Sequence, residues 1–289
     1  MFNILVSGTH GHSWVMSFPS ELDAFRAYAR VFPDNCMLLV DTYDTLRNGL
    51  PNAIRVFDEL RAEGHEPVGI RLDSGDLAYL SKQARAMLDE AGYPNAKICA
   101  SSDLDEFVIR DLKMQGACIT LWGVGTRLIT SEDSPALGGV YKMAAEVVNG
   151  KLMPKIKVSD NPAKVTNPGY KTVFRLYDKD GMAIADLISL DGEKIDTTKP
   201  LRIYDPIQTY KNMILTEFSA RELLVPVFKD GHQVYVSPDV RQIQAYAAKE
   251  LSTFWDEYKR LLVPHTYKVD LSDKLYDLKK QMIHDSIGD

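Results

Sequence analysis

The feature that most constrains this chain is a strict alternation of two periodicities over its first 130 or so residues. Apolar strand-like runs at Phe2–Val6, Met37–Val40, Val68–Leu72, Lys97–Ala100 and Cys118–Trp122 are separated by helical segments. Those segments cover Glu21–Val31, Asn52–Glu63, Leu77–Ala91 and Glu106–Met114. In the second, Ala53, Val56, Phe57 and Leu60 recur at helical spacing. Gly92 and Gly116 close the third and fourth. Near-continuous apolar strands joined by crossover helices predict a parallel sheet buried on both faces. Barrels and open α/β sheets both place their sites at the carboxyl ends of such strands. Here every strand is followed there by polar residues: Ser7–Ser13, Asp41–Thr45, Asp73–Asp76, Ser101–Asp105 and Gly123–Arg127.

After Ser131 the pattern changes. Val140–Val148, Lys151–Val158, Lys171–Asp178 and Ala183–Leu190 read as antiparallel strands, with turns at Asn149-Gly150 and Asp180-Gly181. Ser237–Leu262 reads as helical, with Val240, Ile243, Tyr246 and Leu251 marking an apolar side, and Ser272–Ile283 as a last short helix. Three parts follow: 1–131, an α/β part with phosphate-binding loops, which the resemblance given below implies is a partial α/β barrel; 132–236, an antiparallel β-rich segment that the same resemblance assigns to the barrel or a second domain; and 237–289, C-terminal helices. A chain of 289 residues has room for one large α/β domain or two domains.

Composition sets limits. A formal charge of −6 leaves no general basic face, which argues against nucleic acid as a partner, so an anionic ligand needs locally placed Arg and Lys. No run approaches the roughly 20 apolar residues of a membrane span, and no signal peptide is legible. Met1 runs straight into a strand, which suggests a chain starting inside a domain. Cys36, Cys99 and Cys118 are odd in number and read as small buried side chains, in keeping with a reducing cytoplasm.

The densest chemistry lies at Gly69–Leu77. Arg71 can grip a phosphate bidentately, Asp73 can orient a hydroxyl or hold Mg²⁺, and Ser74, Gly75 and the next helical N–H groups can cradle an anion. The plain alternative is a helix cap by Ser74 or Asp76. His10 and His12, in a Gly/Ser/Thr loop, suit metal ligation, acid–base work or phosphorylation. Asp41 and Asp44 suit Mg²⁺, ribose hydroxyls or turn capping. Ser102 and Asp103 precede a helix, and Gly123, Gly125 and Thr126 form a loop whose backbone can approach a phosphate. Lys142, Lys155, Lys157, Lys164, Lys171 and Arg175 make the next segment basic, either as a solvated face or to neutralise phosphates.

Five motifs in order carry a resemblance: Ser-Gly-Thr-x-x-His-Ser, Leu-Leu-Val-Asp-Thr-Tyr-Asp-Thr, Ile-Arg-Leu-Asp-Ser-Gly-Asp-Leu, Ser-Ser-Asp-Leu-Asp-Glu and Trp-Gly-Val-Gly-Thr. Together they closely resemble nicotinate phosphoribosyltransferase, as does the Asn-Pro-x-Lys-x-Thr-x-Pro-Gly core within Pro154–Arg175. The resemblance implies an incomplete irregular α/β barrel of type II phosphoribosyltransferases, followed by an antiparallel β segment and C-terminal helices. It implies an enzyme of NAD biosynthesis, a ligase or glycosyltransferase. Such an enzyme joins nicotinic acid to 5-phosphoribosyl-1-pyrophosphate, with ATP hydrolysis coupled through a phosphohistidine and Mg²⁺ as cofactor. His12 matches the phosphorylated histidine, with His10 the weaker match. Arg71 and Asp73 match the grip on the ribosyl pyrophosphate and its Mg²⁺. Ser102-Asp103 and Gly123–Thr126 match the loops that hold the 5′-phosphate and ribose.

The family's N-terminal part, with its pyridine-ring clamp and early barrel strands, has no counterpart here. The resemblance therefore implies a cytoplasmic homodimer, or a chain complemented by a separate N-terminal one. The competing readings are a truncated, non-catalytic fragment that binds phosphoribosyl pyrophosphate or a partner, a nicotinamide or quinolinate phosphoribosyltransferase, and a phosphate-binding barrel isomerase.

Overall fold

The computed structural model describes residues 8–208 and 210–287. They form two compact units, one ending at Gly138 and the other beginning at Gly139. The strand expected at Phe2–Val6 lies outside the described residues.

The first unit opens with α1 (His12–Met16) and α2 (Glu21–Val31), the latter capped by Ser20 accepting from Asp23 N. Then come β1 (Met37–Leu39), α3 (Leu50–Ala62), β2 (Gly69–Leu72), α4 (Leu77–Glu90), β3 (Lys97–Ala100), α5 (Glu106–Met114), β4 (Leu121–Trp122) and α6 (Thr126–Thr130). The strands form one parallel sheet in the order β1-β2-β3-β4. Their buried runs, with Leu38, Ile70, Leu72, Ile98 and Ala100 at 0 % exposure, share a core with Phe25, Phe57 and Leu88 from the helices. The run expected at Cys118–Trp122 pairs only over its last two residues. Between β1 and α3 a π-helical turn spans Thr45–Gly49. A Cβ on Gly49 would lie 1.8 Å from Val40 O, so only glycine permits this close return.

Beyond β2, β1 has no neighbouring strand among the described residues. Two side chains bond its outer edge instead: Thr9 Oγ1 donates to Met37 O at 2.6 Å, and Leu39 N donates to His10 Nε2 at 3.2 Å.

The second unit begins with a hairpin of β5 (Ala145–Val148) and β6 (Lys151–Pro154), shorter than expected at both outer ends. Asn149 and Gly150, at φ 49° and 77°, make its turn. Then follow β7 (Lys171–Tyr177), β8 (Ala183–Leu190), β9 (Leu201–Tyr204), β10 (Asn212–Leu215), β11 (Ser219–Glu222), the short pair β12 (Phe228–Lys229) and β13 (His232–Gln233), α7 (Val240–Ser252), β14 (Lys268–Ser272) and α8 (Asp273–Ile287). Six strands form a mixed sheet in the order β10-β9-β14-β8-β7-β11. Strand β14 was not expected from the sequence, yet it sits centrally, parallel to β8 and antiparallel to β9. Helix α7 starts at Val240 with a capping box from Asp239 and Gln242 and ends at Ser252, ten residues short of the helical run expected to Leu262, and its apolar side is exposed. Part of the basic run is tied up locally: Lys155 pairs with Glu146, Lys171 donates to two loop carbonyls, and Arg175 binds Asp186 and Glu250.

Cys36 and Cys99 are buried and Cys118 is half-buried; all three are free thiols. Burial pushes the Cys36 thiol up to about 12, which makes it unreactive.

Candidate active site

The loops after the parallel strands converge through side-chain bonds. Arg71, on β2, donates from Nη2 to Asp73 Oδ1 at 2.8 Å and from Nε to Ser101 Oγ at 2.7 Å. Ser101 in turn donates to Asp73 Oδ1. Continuing the β2–β3 register (Arg71 opposite Cys99) brings Asp73 opposite Ser101. Ser101 belongs to the polar loop Ser101–Asp105 that the sequence marks, and the strand register is what singles it out as the partner of Asp73.

From the β1 loop, Asp41 Oδ2 accepts from Asp73 N at 2.8 Å and from Ser74 Oγ at 2.7 Å. Asp41 Oδ1 is buried and has no hydrogen-bond partner. Asp44 stands apart: it caps the π turn by accepting from Arg47 N. The structure thus separates two aspartates that the sequence left equivalent.

His12, the first residue of α1, faces this pair. Its Nε2 lies 3.6 Å from Asp73 Oδ2 and 4.0 Å from Asp41 Oδ1, and its Nδ1 lies 3.1 Å from Thr42 Oγ1. The side chain is 37 % exposed, open to a ligand. Thr42 was not singled out from sequence, since a threonine in a turn carries no distinctive signal. His10 is different. It is buried against Phe25 and Tyr28, and burial, together with the nearby Arg71 and His12 charges, lowers its pKa to about 4 despite a hydrogen bond at Gly11 that raises it. It is therefore a neutral imidazole held in the core.

Burial pulls the Asp73 carboxyl upward, but hydrogen bonds from Ser101 and Arg71 and the charges of Arg71 and His12 outweigh it and hold it below the usual carboxylate range. Asp73 is therefore ionised at neutral pH.

Arg71 and Asp73 also line a cleft with Ser101, Ser102, Asp103, Gly123, Gly125, Thr126 and Arg127. Ser102 has φ 95°, a left-handed conformation that costs a non-glycine residue on the order of 1–3 kcal/mol and is common where loops are shaped for ligands. Arg127, not singled out from sequence, pairs with Asp105 at 3.1 Å and adds a second guanidinium. Gly75 makes the turn into α4 at φ 79° and does not line the cleft. The α4 N-terminus is capped by Asp76 accepting from Tyr79 N, and that of α5 by Asp105 accepting from Val108 N. One donor at each helix start is thereby occupied.

The donor set suits a hard cation. Asp41 Oδ1 and Asp73 Oδ2 lie 4.0 and 3.6 Å from the same His12 Nε2, and the buried Asp41 Oδ1 lacks any hydrogen-bond partner of its own. Mg²⁺ is commonly held by one or two carboxylates together with substrate phosphates.

Residues 170–279 match the nicotinate phosphoribosyltransferase C-terminal domain. The chain is 50 % identical to nicotinate phosphoribosyltransferase of Bacillus subtilis (strain 168) over 285 residues, which cover 98 % of this chain and 58 % of that protein. It is 33 % identical to the Homo sapiens protein of the same name, covering 90 % of this chain and 49 % of the relative. The crystal structure of human nicotinic acid phosphoribosyltransferase superposes with a TM-score of 0.76 at 26 % identity, covering 96 % of this chain and 62 % of that one. Nicotinate-nucleotide pyrophosphorylase from Pyrococcus furiosus shares the fold, with a TM-score of 0.58 at 19 % identity, over 87 % of this chain and 56 % of that one. The chain thus resembles nicotinate phosphoribosyltransferases along nearly its whole length, with the mixed α/β fold of type II phosphoribosyltransferases. It spans about half the length of the curated relatives it matches.

Proposed function

We propose that this chain carries the phosphoribosyl-pyrophosphate site of a nicotinate phosphoribosyltransferase, which joins nicotinic acid to 5-phosphoribosyl-1-pyrophosphate and releases nicotinate mononucleotide and pyrophosphate. One observation carries the proposal: Arg71, Asp73 and Asp41, at the carboxyl ends of two neighbouring parallel strands, form one connected cluster with His12 at the start of α1. In the transfer, the pyridine nitrogen attacks ribose C1, and the C1–O bond breaks with its electrons going to the leaving pyrophosphate. No nucleophilic side chain is needed. Arg71 stabilises the departing charge, as preorganised donors do. The loops at Ser102-Asp103 and Gly123–Thr126 hold the 5′-phosphate and ribose. Asp41 and Asp73 would hold Mg²⁺, which when bound neutralises charge on the pyrophosphate.

His12 serves a separate step. A ring nitrogen attacks the γ-phosphorus of ATP, a P–N bond forms and the P–O bond to ADP breaks. Asp41, Asp73 and Thr42 hold the ring in place. The phosphoryl group then reshapes substrate affinity through contacts to nearby donors. The same reading carries a cytoplasmic setting and a homodimer or complementing N-terminal chain. Among the described residues no helix is long and apolar enough to cross a membrane.

The test has two arms. Wild-type chain incubated with ATP should gain the mass of one phosphate, and His12→Ala should not. Calorimetry should show phosphoribosyl pyrophosphate binding to wild type and far weaker binding to Arg71→Met. Failure of both arms would sink the proposal. Since the chain spans 58 % of the Bacillus relative, a second reading is ligand binding without turnover. Binding with no nicotinate mononucleotide detectable by chromatography is the result that favours it.

A further inference from the structure

Helix α8 buries a lysine on an otherwise apolar face. Lys279 is 6 % exposed and donates from Nζ to Asn167 Oδ1 at 2.8 Å and to Pro206 O at 2.9 Å. An ammonium has three donors, and the two used here meet neutral oxygens. Among the described residues no carboxylate forms an ion pair with it. A buried charge without a counter-charge is costly. Accordingly, burial pushes the Lys279 ammonium below its usual range, with Asp205 pulling the other way.

Beside this lysine is a cavity of about 230 Å³. Its walls are apolar: Val165, Ile207, Leu271, Tyr276 and Ile283, with Lys280 as a second cation. The Tyr276 ring stacks on Tyr204 with centroids 4.1 Å apart and planes 6° from parallel, which fixes one wall as a flat aromatic surface. The volume falls below the roughly 300–1,000 Å³ of drug-sized ligand sites, so an occupant is limited to about one ring.

We propose that this cavity is a binding site for a small monocarboxylate with an apolar ring or branched body, its carboxylate paired with Lys279 and Lys280 and its body set against Tyr276 and Ile283. A carboxylate there supplies the direct ion pair that Lys279 lacks, and the apolar walls bury the rest. The site uses none of the loops assigned to phosphoribosyl transfer, so it stands or falls independently of that function.

Calorimetric titration of the full chain with benzoate, and with benzyl alcohol as its uncharged match, tests this. Benzoate should bind saturably, one per chain, and about tenfold or more tighter than benzyl alcohol, the factor expected for one charge-assisted hydrogen bond. Lys279→Met should abolish that preference. Because losing Lys279 also strands Asn167 and Pro206 O, Ile283→Trp provides the second arm: it fills the cavity with the lysine intact and should remove benzoate binding while the circular dichroism melt stays cooperative. No benzoate binding to wild type, or equal binding to wild type and Ile283→Trp, would show that Lys279 is only a structural pin for Asn167 and Pro206.

Discussion

Each compact unit holds an arginine–carboxylate cluster, and the two differ in what they leave unsatisfied. In the second unit, Arg175 grips Asp186 with Nε at 2.9 Å and Nη2 at 3.0 Å and reaches Glu250 with Nη1 at 3.2 Å. Arg221 binds both Glu250 oxygens, and Tyr267 donates to Asp186 at 3.0 Å. All four carboxylate oxygens accept hydrogen bonds, and the unsatisfied atom is a donor, the buried Arg221 Nε. The Phe254 ring closes over Arg175, 4.8 Å from its guanidinium. In the first unit, Asp73 Oδ1 and Asp41 Oδ2 are doubly bonded, but Asp41 Oδ1 has no partner and Asp73 Oδ2 meets only His12 at 3.6 Å. The two oxygens without hydrogen bonds are those nearest His12. Closed networks hold a fold together, whereas this one keeps two carboxylate oxygens without hydrogen bonds, one of them buried, beside the part-exposed His12.

The largest effect should come from breaking the closed cluster. Arg175→Met leaves the half-buried Asp186 without its bidentate partner and Glu250 with Arg221 alone, and should cost about 3–5 kcal/mol, read by urea denaturation. A loss below about 1 kcal/mol would show that the network is not structural.

Acid should then separate the units. His10 is neutral when folded, with a pKa of about 4, and titrates near 6.5 when unfolded. The unfolded state binds the extra proton first, so stability is full above pH 6.5 and falls as pH drops toward 4. The loss is about 3 kcal/mol, and it falls in the first unit. Glu250, held low by hydrogen bonds from Arg221, gives up its contribution only below the ordinary carboxylate range. Trp14 and Trp122 report on the first unit and Trp255 on the second, so single-tryptophan variants should lose their folded fluorescence in that order as pH falls. The reverse order would break the contrast.

Removing Arg71 tests function rather than fold. Arg71→Met should change stability by about 1 kcal/mol or less but weaken phosphoribosyl pyrophosphate binding by about 10–100-fold. Equal losses in both would make the open cluster structural too. The smallest effect should come from Gly75→Ala, about 1 kcal/mol in urea, because φ is 79° and the new Cβ would lie 3.0 Å from Leu80 Cδ1.

The parallel sheet was largely legible in the sequence because each of its strands is a local apolar run. Lys97–Ala100 and Glu106–Met114 appear with the bounds expected. Strand β14 was not legible. Lys268–Ser272 is a short mixed run whose place is set by partners more than 60 residues away in sequence. The chemistry of Arg71, Asp73 and His12 stood out by residue type. Their partners Ser101 and Asp41 could not be told from Ser102 and Asp44, because strand register decides which serine meets Asp73, and loop geometry decides which of two aspartates turns inward. His10 and His12 look alike in sequence; packing against Phe25 and Tyr28 is what divides them.

The bonds from Thr9 and His10 to β1 have a further consequence. Parallel sheets recruit stray strands through unpaired edge amides and carbonyls, and here Met37 O and Leu39 N are already taken by side chains. An incoming segment would have to displace both before adding to this border. The loop that delivers His12 to its carboxylates therefore also occupies two of the hydrogen-bonding groups on this border.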